Sequence, residues 1–359
     1  MIISSLPNPS FGVIKNSKIL EFGSNYKFYS LGRFALLNAL IDLGVRKGDV
    51  ILVPAYICSS SISPLEHYGY IIKYVDLDNR LNMNTNKIDL LLLKFDIKAI
   101  LVVYFFGYEN NFNELKHKYG NKGIRLIQDY SHSLFNEFLE ESSENYDAKI
   151  FSFRKNLPVD GGGLLKMENT VSSGIVNEPS TLFTLRQIST FIVKKFILMF
   201  AIFFNVNIYS DSIRKIKFKK NNQNTSQNKY SLWCNKKYLS SKNYLYQSRK
   251  TIIKNYSRIS SACSQLGIEV FKKELKSSEV PQAIAIIDKT RDLEKFLKNS
   301  GIGAWRWPEN ELPEEVKKNR KLYPNSNKFN DCLILLPVHQ SLKKHHIDYM
   351  IKILQKWLS

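Results

Sequence analysis

The stretch RLIQDYSHSLFNEFLEESSENYDAKIFSFRKNLPVDGGGLLK, residues 125–166, contains two short apolar runs that each lead into charged side chains. The first run stops at Asp129, as a buried parallel strand does when it delivers a carboxylate to the carboxyl edge of its sheet. The second run predicts a strand over Ile150–Phe153, with Lys155 two residues beyond it. We therefore expect an acid and a lysine to lie just beyond the strand ends of one sheet, where the active sites of α/β proteins usually lie.

Outside this stretch, strand-like runs alternate with helix-length segments, which favours an α/β fold: a mainly parallel sheet with helices on both faces. We expect a large α/β domain of residues 1–245 and a smaller α+β C-terminal domain of residues 246–359, joined by a helix in the Tyr- and Lys-rich stretch that ends at Tyr256. The other predicted strands are Val50–Pro54, Ile71–Asp76, Ala99–Phe105, Leu126–Asp129, Ala283–Ile287 and Leu333–Leu336, and the predicted C-terminal helices are Thr290–Asn299 and Lys344–Leu358.

The composition is that of a globular protein, with 359 residues and 44% hydrophobic content, which is enough for a full core. The N-terminal residues lack a basic segment followed by an apolar core, so they do not predict a secretory signal. The cysteines show no paired spacing, which argues against a disulfide framework and against a zinc site. We expect a cytoplasmic protein without a metal. The four cysteines are Cys58, Cys234, Cys263 and Cys332.

Basic side chains are in large excess, because 52 lysines and arginines stand against 32 acids and give a formal charge of +20. Such a charge favours association with anions, of which nucleic acid, anionic lipid and a nucleotide diphosphate are the candidates. No helix-turn-helix, zinc-finger or RNA-binding signature accompanies it. We therefore expect no nucleic-acid binding.

One segment is unusually apolar: residues 191–208 read FIVKKFILMFAIFFNVNI and are followed by the basic tract 214–220. Its uninterrupted part, Phe196–Phe204, is too short to span a bilayer. Two interpretations stay open. The segment is a helix buried in the core or in a dimer interface, or it lies in the membrane interface and gives the protein a peripheral association with the inner face of the membrane.

Pyridoxal phosphate requires a lysine amine for its aldehyde, an anion beside its ring nitrogen and a neutral amide cradle for its phosphate. Lys155 and Asp129 are candidates for the first two roles. Gly32 stands just before an amphipathic run, and backbone amides at that helix start would bind the phosphate. Each residue also has a purely structural interpretation: Asp129 as a helix cap, Lys155 as solvated charge, and the glycine run 161–163 as a turn.

In this order the segments resemble the DegT/StrS-type sugar aminotransferases, which are fold type I enzymes that depend on pyridoxal phosphate. The likeness covers most of the chain. It begins with GRFALLNALIDLGVRKGDVILVPAYICSSSISPLEHYGYIIKYVDLD at residues 32–78 and continues through LVVYFFGY, IQDYSHS and FSFRKNLPVDGGGLL. It resumes with VPQAIAIIDKTRDLEKFLKNSGIGAWRWP and CLILLPVHQSLKKHHIDYMIKIL.

The resemblance assigns roles to the residues at the strand exits. It implies that Lys155 is the Schiff-base lysine and that Asp129 pairs with the ring nitrogen. His132 stands where the family has Gln or His near the ring hydroxyl, and Ser152 stands where a serine contacts the phosphate. Lys155 and Asp129 are the predicted catalytic residues, and all four are predicted to bind the cofactor.

Further cofactor contacts are implied at the first predicted helix, where the family has a Gly-Thr phosphate turn. Gly32, Arg33 and Phe34 stand at this turn. Arg33 replaces the usual small hydroxyl residue, so a hydroxyl contact is lost, while a guanidinium turned inward would supply a stronger charge-assisted bond. We therefore include all three residues among the predicted cofactor-binding residues.

Three other features depart from the family pattern. Cys58 stands where an aromatic residue normally stacks on the cofactor ring, which leaves Tyr56 or Tyr104 as substitutes. The loop from Ser152 to Lys155 is two residues shorter than in the commonest members. The asparagine-arginine motif with which a neighbouring subunit completes the phosphate site is not recognisable between residues 205 and 246. Tyr56 and Cys58 complete the predicted cofactor-binding set.

The resemblance implies transfer of an amino group, from glutamate, to a nucleotide-linked keto-sugar in bacterial surface polysaccharide or O-antigen biosynthesis, by a homodimer. Family position also places several C-terminal residues near the substrate, although packing between the domains is an equal interpretation for the tryptophans. Two alternatives remain: a pyridoxal-phosphate sugar dehydratase, against which Lys155 counts, and a catalytically silent relative that binds a partner or membrane. The candidate substrate residues are Arg154, Trp305, Arg306, Trp307 and His339.

Overall fold

The computed structural model describes residues 1–7, 23–139, 146–159, 161–168, part of 189–208, 238, 239 and 241–359. Its strands are β1 (Tyr26–Tyr29), β2 (Val50–Pro54), β3 (Ile71–Val75), β4 (Ile97–Val103), β5 (Arg125–Asp129), β6 (Ala148–Ser152), β7 (Gly163–Met167), β8 (Ala283–Ile287) and β9 (Leu333–Pro337). Its helices are α1 (Gly32–Asp42), α2 (Ser59–Tyr68), α3 (Thr85–Leu92), α4 (Phe112–Tyr119), α5 (Leu134–Leu139), α6 (Lys242–Gln265), α7 (Asp292–Asn299), α8 (Glu314–Lys318), α9 (Pro324–Cys332) and α10 (Lys344–Leu358).

The large sheet has seven strands in the order β1-β7-β6-β5-β4-β2-β3. The five strands from β6 to β3 are parallel, while β7 runs antiparallel to both of its neighbours. Strands β2 and β6 are buried along their whole length, as expected of strands covered on both faces. The predicted α/β class with a mainly parallel sheet is confirmed.

The register of the sheet brings several chain segments to one edge. Asp129, the last residue of β5, lies beside Val103 of β4 and Ile150 of β6. Ser152 at the end of β6 pairs with Gly163 of β7. Because Gly163 also pairs with the last residue of β1, the start of α1 arrives at the same edge.

The C-terminal part contains a separate two-stranded antiparallel sheet of β8 and β9, with α6, α7 and α10 packed around it. The first residues of the chain join this part, since the amide of Ile3 donates to the carbonyl of Gly301 at 2.9 Å. The expected division between residues 245 and 246 falls within α6, and it stays a prediction.

Most predicted elements exist, with some ends displaced. Val50–Pro54, Ala283–Ile287 and Lys344–Leu358 have the predicted bounds. The strand expected at Ile150–Phe153 begins two residues earlier, at Ala148. It ends at Ser152, because residues 153–155 form a short 3-10 turn. Strand β3 ends at Val75 instead of Asp76, and β4 covers Ile97–Val103 instead of Ala99–Phe105. Helix α6 continues past Tyr256 to Gln265, and α7 begins at Asp292 instead of Thr290.

The basic tract 214–220 and Cys234 lie outside the described residues. Within the part of the chain that the structure describes, no helix combines the length and the apolar character that a membrane span requires.

Candidate functional site

Lys155 is positioned by the turn that follows β6. The amide of Asn156 donates to the carbonyl of Phe153 at 2.9 Å, which closes the turn. The Asn156 side chain donates to the carbonyl of Ser131 at 2.8 Å and so ties the turn to the exit of β5. Gln282, from the C-terminal part, donates to the carbonyl of Lys155 at 3.3 Å. The short loop therefore places its lysine through bonds to two other segments.

The Lys155 amine is buried, and its Nζ lies 2.8 Å from Nε2 of His132. Burial lowers the pKa of Lys155 to about 8, with Asp129 acting in the opposite direction and Arg154 and Arg33 lowering it further. A substantial fraction of this amine is therefore neutral near physiological pH. A neutral amine is the form that attacks an aldehyde.

His132 is fully enclosed beside the lysine. Its ring stacks on Phe106 at 5.7 Å with 8° between planes, and the edge of Trp307 lies 5.0 Å away. The backbone N–H of Phe106 donates to Nδ1 at 3.4 Å, so a neutral ring carries its proton on Nε2, the nitrogen that faces the Lys155 amine. Burial, together with the nearby cations Lys155 and Arg154, holds the pKa of His132 well below its usual value.

Asp129 is buried at the end of β5, and its Oδ1 accepts a hydrogen bond from the amide of Ser131 at 2.8 Å. Burial raises the pKa of Asp129, while the charge of Lys155 and the bond from Ser131 lower it. The carboxylate and the amine therefore interact electrostatically across one site, as the strand exits predict.

The start of α1 forms the wall opposite β6. Glycine fits this close packing, since a Cβ at Gly32 would lie at a tight 3.2 Å from both the Phe151 carbonyl oxygen and Cβ of Ser152. No side chain caps the helix at Leu31. The first amides of a helix have no intrahelical acceptor, so they offer donors to an anion at this point.

The other two residues predicted at this helix start are both half-buried. The charge of Arg33 contributes to the lowered pKa of Lys155, which places its guanidinium within electrostatic range of the amine. Phe34 packs against the hydrophobic core. The structure thus brings Arg33 towards the site, while the visible contacts of Phe34 are with the core.

Cys58, which stands where the family has a stacking aromatic residue, forms a hydrogen bond with a carboxylate. The thiol of Cys58 and the hydroxyl of Ser60 both donate to the Glu311 carboxylate, the latter at 2.8 Å. Burial and the bond to Glu311 raise the pKa of the Cys58 thiol. Glu311, which sequence reasoning did not single out, thus reaches this corner from the C-terminal part.

Neither substitute aromatic has a free face in this structure. Tyr56 is fully buried, donates its hydroxyl to the Trp307 carbonyl and packs edge-on against the Trp307 ring at 5.0 Å. Tyr104 stacks on Tyr130 at 4.1 Å and 17°. The aromatic beside the amine is Trp307, whose ring centroid lies 6.0 Å from Nζ of Lys155. A cofactor-binding role for Tyr56 and Cys58 stays a prediction.

Of the candidate substrate residues, Trp307 lies beside Lys155, and Arg154 is near enough to influence its pKa. Arg306 instead forms buried ion pairs with Asp288 at 2.7 Å and Glu294 at 2.9 Å. Trp305 pairs with Leu335 through backbone hydrogen bonds, and His339 contacts Ser4. The side chains of Arg306 and His339 thus have structural partners away from Lys155, and Trp305 is held through its backbone.

The structure therefore brings Gly32, Asp129, His132, Ser152 and Lys155 to one sheet edge. Residues 30–174 match the model of the DegT/DnrJ/EryC1/StrS aminotransferase family. Over these residues the chain is similar to that family. The matched segment contains all five residues, and the match confirms the family resemblance read from the sequence.

Two curated relatives show how far the likeness in sequence extends. The chain is 39% identical over 124 residues to the GDP-4-keto-6-deoxy-D-mannose 3-dehydratase of Escherichia coli O55:H7, covering 32% of this chain and 31% of that protein. It is 29% identical over 147 residues to the UDP-4-amino-4,6-dideoxy-N-acetyl-beta-L-altrosamine transaminase of Campylobacter jejuni, covering 39% of each. The matched part of the chain thus spans less than half the length of these relatives.

Solved structures extend the likeness in fold to nearly the whole chain. A DegT DnrJ EryC1 StrS aminotransferase from Brucella abortus superposes with a TM-score of 0.64 at 17% identity, covering 93% of this chain and 86% of that one. NtdA from Bacillus subtilis, solved with bound cofactor PMP, gives 0.65 at 15% identity, covering 95% and 78%. At these identities the comparison shows the fold alone, which this chain shares with both solved structures.

Proposed function

We propose that this protein is a pyridoxal-phosphate-dependent aminotransferase that transfers an amino group, from glutamate, to a nucleotide-linked keto-sugar. The observation that carries the proposal is the buried Lys155 amine, whose pKa is lowered to about 8 and which contacts His132 within range of Asp129. The similarity to the DegT/DnrJ/EryC1/StrS family supports the reaction class. Both curated relatives act on nucleotide-linked sugars according to their names, which supports the substrate class.

The donor set of the site fits pyridoxal phosphate. Lys155 offers an amine with a lowered pKa, Asp129 a buried acid, and the uncapped start of α1 offers backbone amides beside Ser152. These are the three groups the cofactor needs, and the sheet register holds them at one edge. When bound, the cofactor would supply an electron sink that stabilises negative charge next to the transferred nitrogen.

The residues of this chain would then hold and move protons. A carboxylate at Asp129 would keep a nearby ring nitrogen protonated, and that positive charge would in turn favour the ionised acid. Lys155, with a pKa of about 8, exchanges its proton readily near neutral pH and is suited to transfer protons between carbon and nitrogen. His132 orients the Lys155 amine through the 2.8 Å contact. Phe106 and Trp307 pack against the His132 ring and hold it in this position.

A sugar dehydratase is the second candidate, favoured by the 39% identity to the 3-dehydratase of Escherichia coli O55:H7. The presence of Lys155 argues against it, because the dehydratases of this family typically carry histidine in place of the lysine. The two reactions leave different products. An aminotransferase adds nitrogen to the sugar, whereas a dehydratase removes a hydroxyl group.

The test is turnover of GDP- or UDP-linked 4-keto-6-deoxy sugars with pyridoxal phosphate and glutamate, read by product mass. We expect a product that has exchanged a carbonyl for an amine, with one 2-oxoglutarate formed per sugar. Lys155→Ala should abolish this, while Lys87→Ala, at an exposed position of α3, should not. A deoxygenated sugar without added nitrogen would establish the dehydratase instead. No conversion of any such sugar, with the folded protein, would contradict the proposal.

We further propose that the enzyme works as a cytoplasmic homodimer in bacterial surface polysaccharide biosynthesis. The family resemblance supports this placement. Sedimentation at micromolar concentration checks the dimer, and a monomer that retains full turnover would contradict it.

A further inference from the structure

An exposed apolar surface lies far along the chain from the catalytic residues. The described residues between 192 and 203 have helical backbone, and the segment continues into a turn at Phe204. Large apolar side chains on it point into solvent, with Phe203 82% and Phe196 66% exposed. We call this set the apolar strip: Phe196, Ile197, Met199, Phe200, Phe203 and Phe204.

The apolar strip occupies one side of its helix. Phe196, Phe200 and Phe203 recur at spacings of three and four residues, which places them on one face. Ala201, on the other side, is buried. Phe200 and Phe204 pack against each other with ring centroids 4.3 Å apart, so the aromatic rings form a continuous patch.

The segment is attached to the body of the protein at its far end. The Asn207 side chain donates to the carbonyls of Lys298 and Asn299 at the end of α7, both at 2.9 Å. The bond from the amide of Val206 to the carbonyl of Ala201 closes the helix before this point. The apolar strip is thus presented outward from the C-terminal part.

Charge indicates what covers this surface. Between residues 191 and 220 the sequence contains seven lysines and arginines against a single aspartate, and two of them, Lys194 and Lys195, directly precede Phe196. The chain as a whole carries +20. An anionic surface is attracted by these charges, and they lie next in the sequence to the apolar side chains that would enter it.

We propose that the apolar strip inserts into the interface of an anionic phospholipid bilayer, so that the protein binds the membrane surface peripherally. Aromatic and aliphatic side chains on one helix face enter the boundary between headgroups and acyl chains, while neighbouring lysines bind the headgroups. No described helix is able to span the membrane.

Co-sedimentation with vesicles tests this binding on the full-length protein. We expect binding to vesicles of phosphatidylcholine mixed with phosphatidylglycerol at low salt, and at least about tenfold less binding to phosphatidylcholine alone. The double variant Phe196→Ser, Phe203→Ser should bind the mixed vesicles at least about fivefold less. Leu93→Ser is the matched control, because Leu93 is equally apolar, 83% exposed and distant in the chain, and it should leave binding unchanged.

Far-ultraviolet circular dichroism and thermal unfolding establish that the double variant is folded. Equal binding by the double variant and the wild type would overturn the proposal, as would binding that is indifferent to phosphatidylglycerol. A folded wild-type protein that stays off the mixed vesicles, and whose oligomer dissociates in the double variant, would overturn it in favour of self-association through the apolar strip.

Discussion

At the scale of single residues, the central feature is a lysine held in an environment that disfavours its charge. With a pKa of about 8, roughly a quarter of the Lys155 amine is neutral at pH 7.5, compared with about one in a thousand for a lysine at the ordinary value of 10.5. Burial of the amine is the main cause. A nucleophile of this kind reacts selectively with an aldehyde even though the chain contains many other lysines.

Asp129 supports the charge on Lys155, which gives a prediction with a definite sign. Asp129→Asn removes the negative charge but keeps an oxygen that accepts the 2.8 Å bond from the Ser131 amide. Because the Asp129 charge raises the pKa of Lys155, the variant should have a lower one. The pH midpoint for reductive trapping of pyridoxal on Lys155 should therefore move to a value below that of the wild type.

Asp96→Asn is the control for this shift, since Asp96 is exposed and pairs with Lys98 far from the site. It should leave the trapping midpoint in place. An unchanged or higher midpoint in the Asp129→Asn variant would mean that the two groups do not interact as described.

At the scale of elements, the strands and their exits were predictable because the signal is local. Buried parallel strands are continuous apolar runs, and the residue that ends such a run is visible in the sequence. The exact ends were less predictable. The chain leaves β6 at Ser152 because the amides of Asn156 and Leu157 both bond to the Phe153 carbonyl, a turn that the apolar pattern does not reveal.

One of the contacts between the two parts of the chain is very close because residue 107 is a glycine. Gly107 has a φ of +90°, and a Cβ there would overlap the backbone carbonyl of Val280, from the segment that supplies Gln282. Gly107→Ala should therefore lower the free energy of unfolding by about 3 kcal/mol, measured by urea denaturation. Gly123→Ala is the matched control, because Gly123 has a φ of +75° with no atom within 4 Å of a Cβ. It should lose only about 1 kcal/mol.

An equal loss in both variants would show that backbone strain alone accounts for the effect. The close approach between the Gly107 turn and the Val280 segment would then be less tight than described.

At the scale of the whole molecule, the approach of distant segments to the site could not be read from the sequence. Trp307 and Glu311 lie more than 150 residues beyond Lys155 in the chain. Even so, the Trp307 ring lies beside the Lys155 amine, and the Glu311 carboxylate accepts a hydrogen bond from Cys58. Their positions follow from tertiary packing, for which the sequence offers no local pattern. Family position did indicate Trp307, but it also indicated Arg306, which instead neutralises the buried Asp288 and Glu294.

Global stability should depend on pH through His339, which joins the chain start to the segment after β9. Burial lowers the pKa of His339 to about 4 from 6.5. The unfolded chain then binds more protons than the folded chain between these values, so stability is fully present above pH 6.5 and falls as the pH drops towards 4. From pH 7 to pH 5 this histidine should account for a loss of about 2 kcal/mol.

His339→Gln removes the titrating group while keeping a side chain able to donate to the Ser4 carbonyl. Urea denaturation at pH 7 and pH 5 should show that the variant loses about 2 kcal/mol less than the wild type over this interval. If both proteins lose the same free energy of unfolding between pH 7 and pH 5, His339 does not contribute to the acid sensitivity.

The most direct test of the proposed function is where pyridoxal phosphate attaches to the protein. The protein is incubated with equimolar cofactor at pH 7.5, reduced with borohydride, digested and mapped by mass spectrometry. We expect a single stable pyridoxyl group on Lys155 of the wild type. The folded Lys155→Ala protein should lack this group, and the Lys87→Ala protein should carry it as the wild type does. A label spread over surface lysines, or one that folded Lys155→Ala protein acquires equally, would contradict the proposed function.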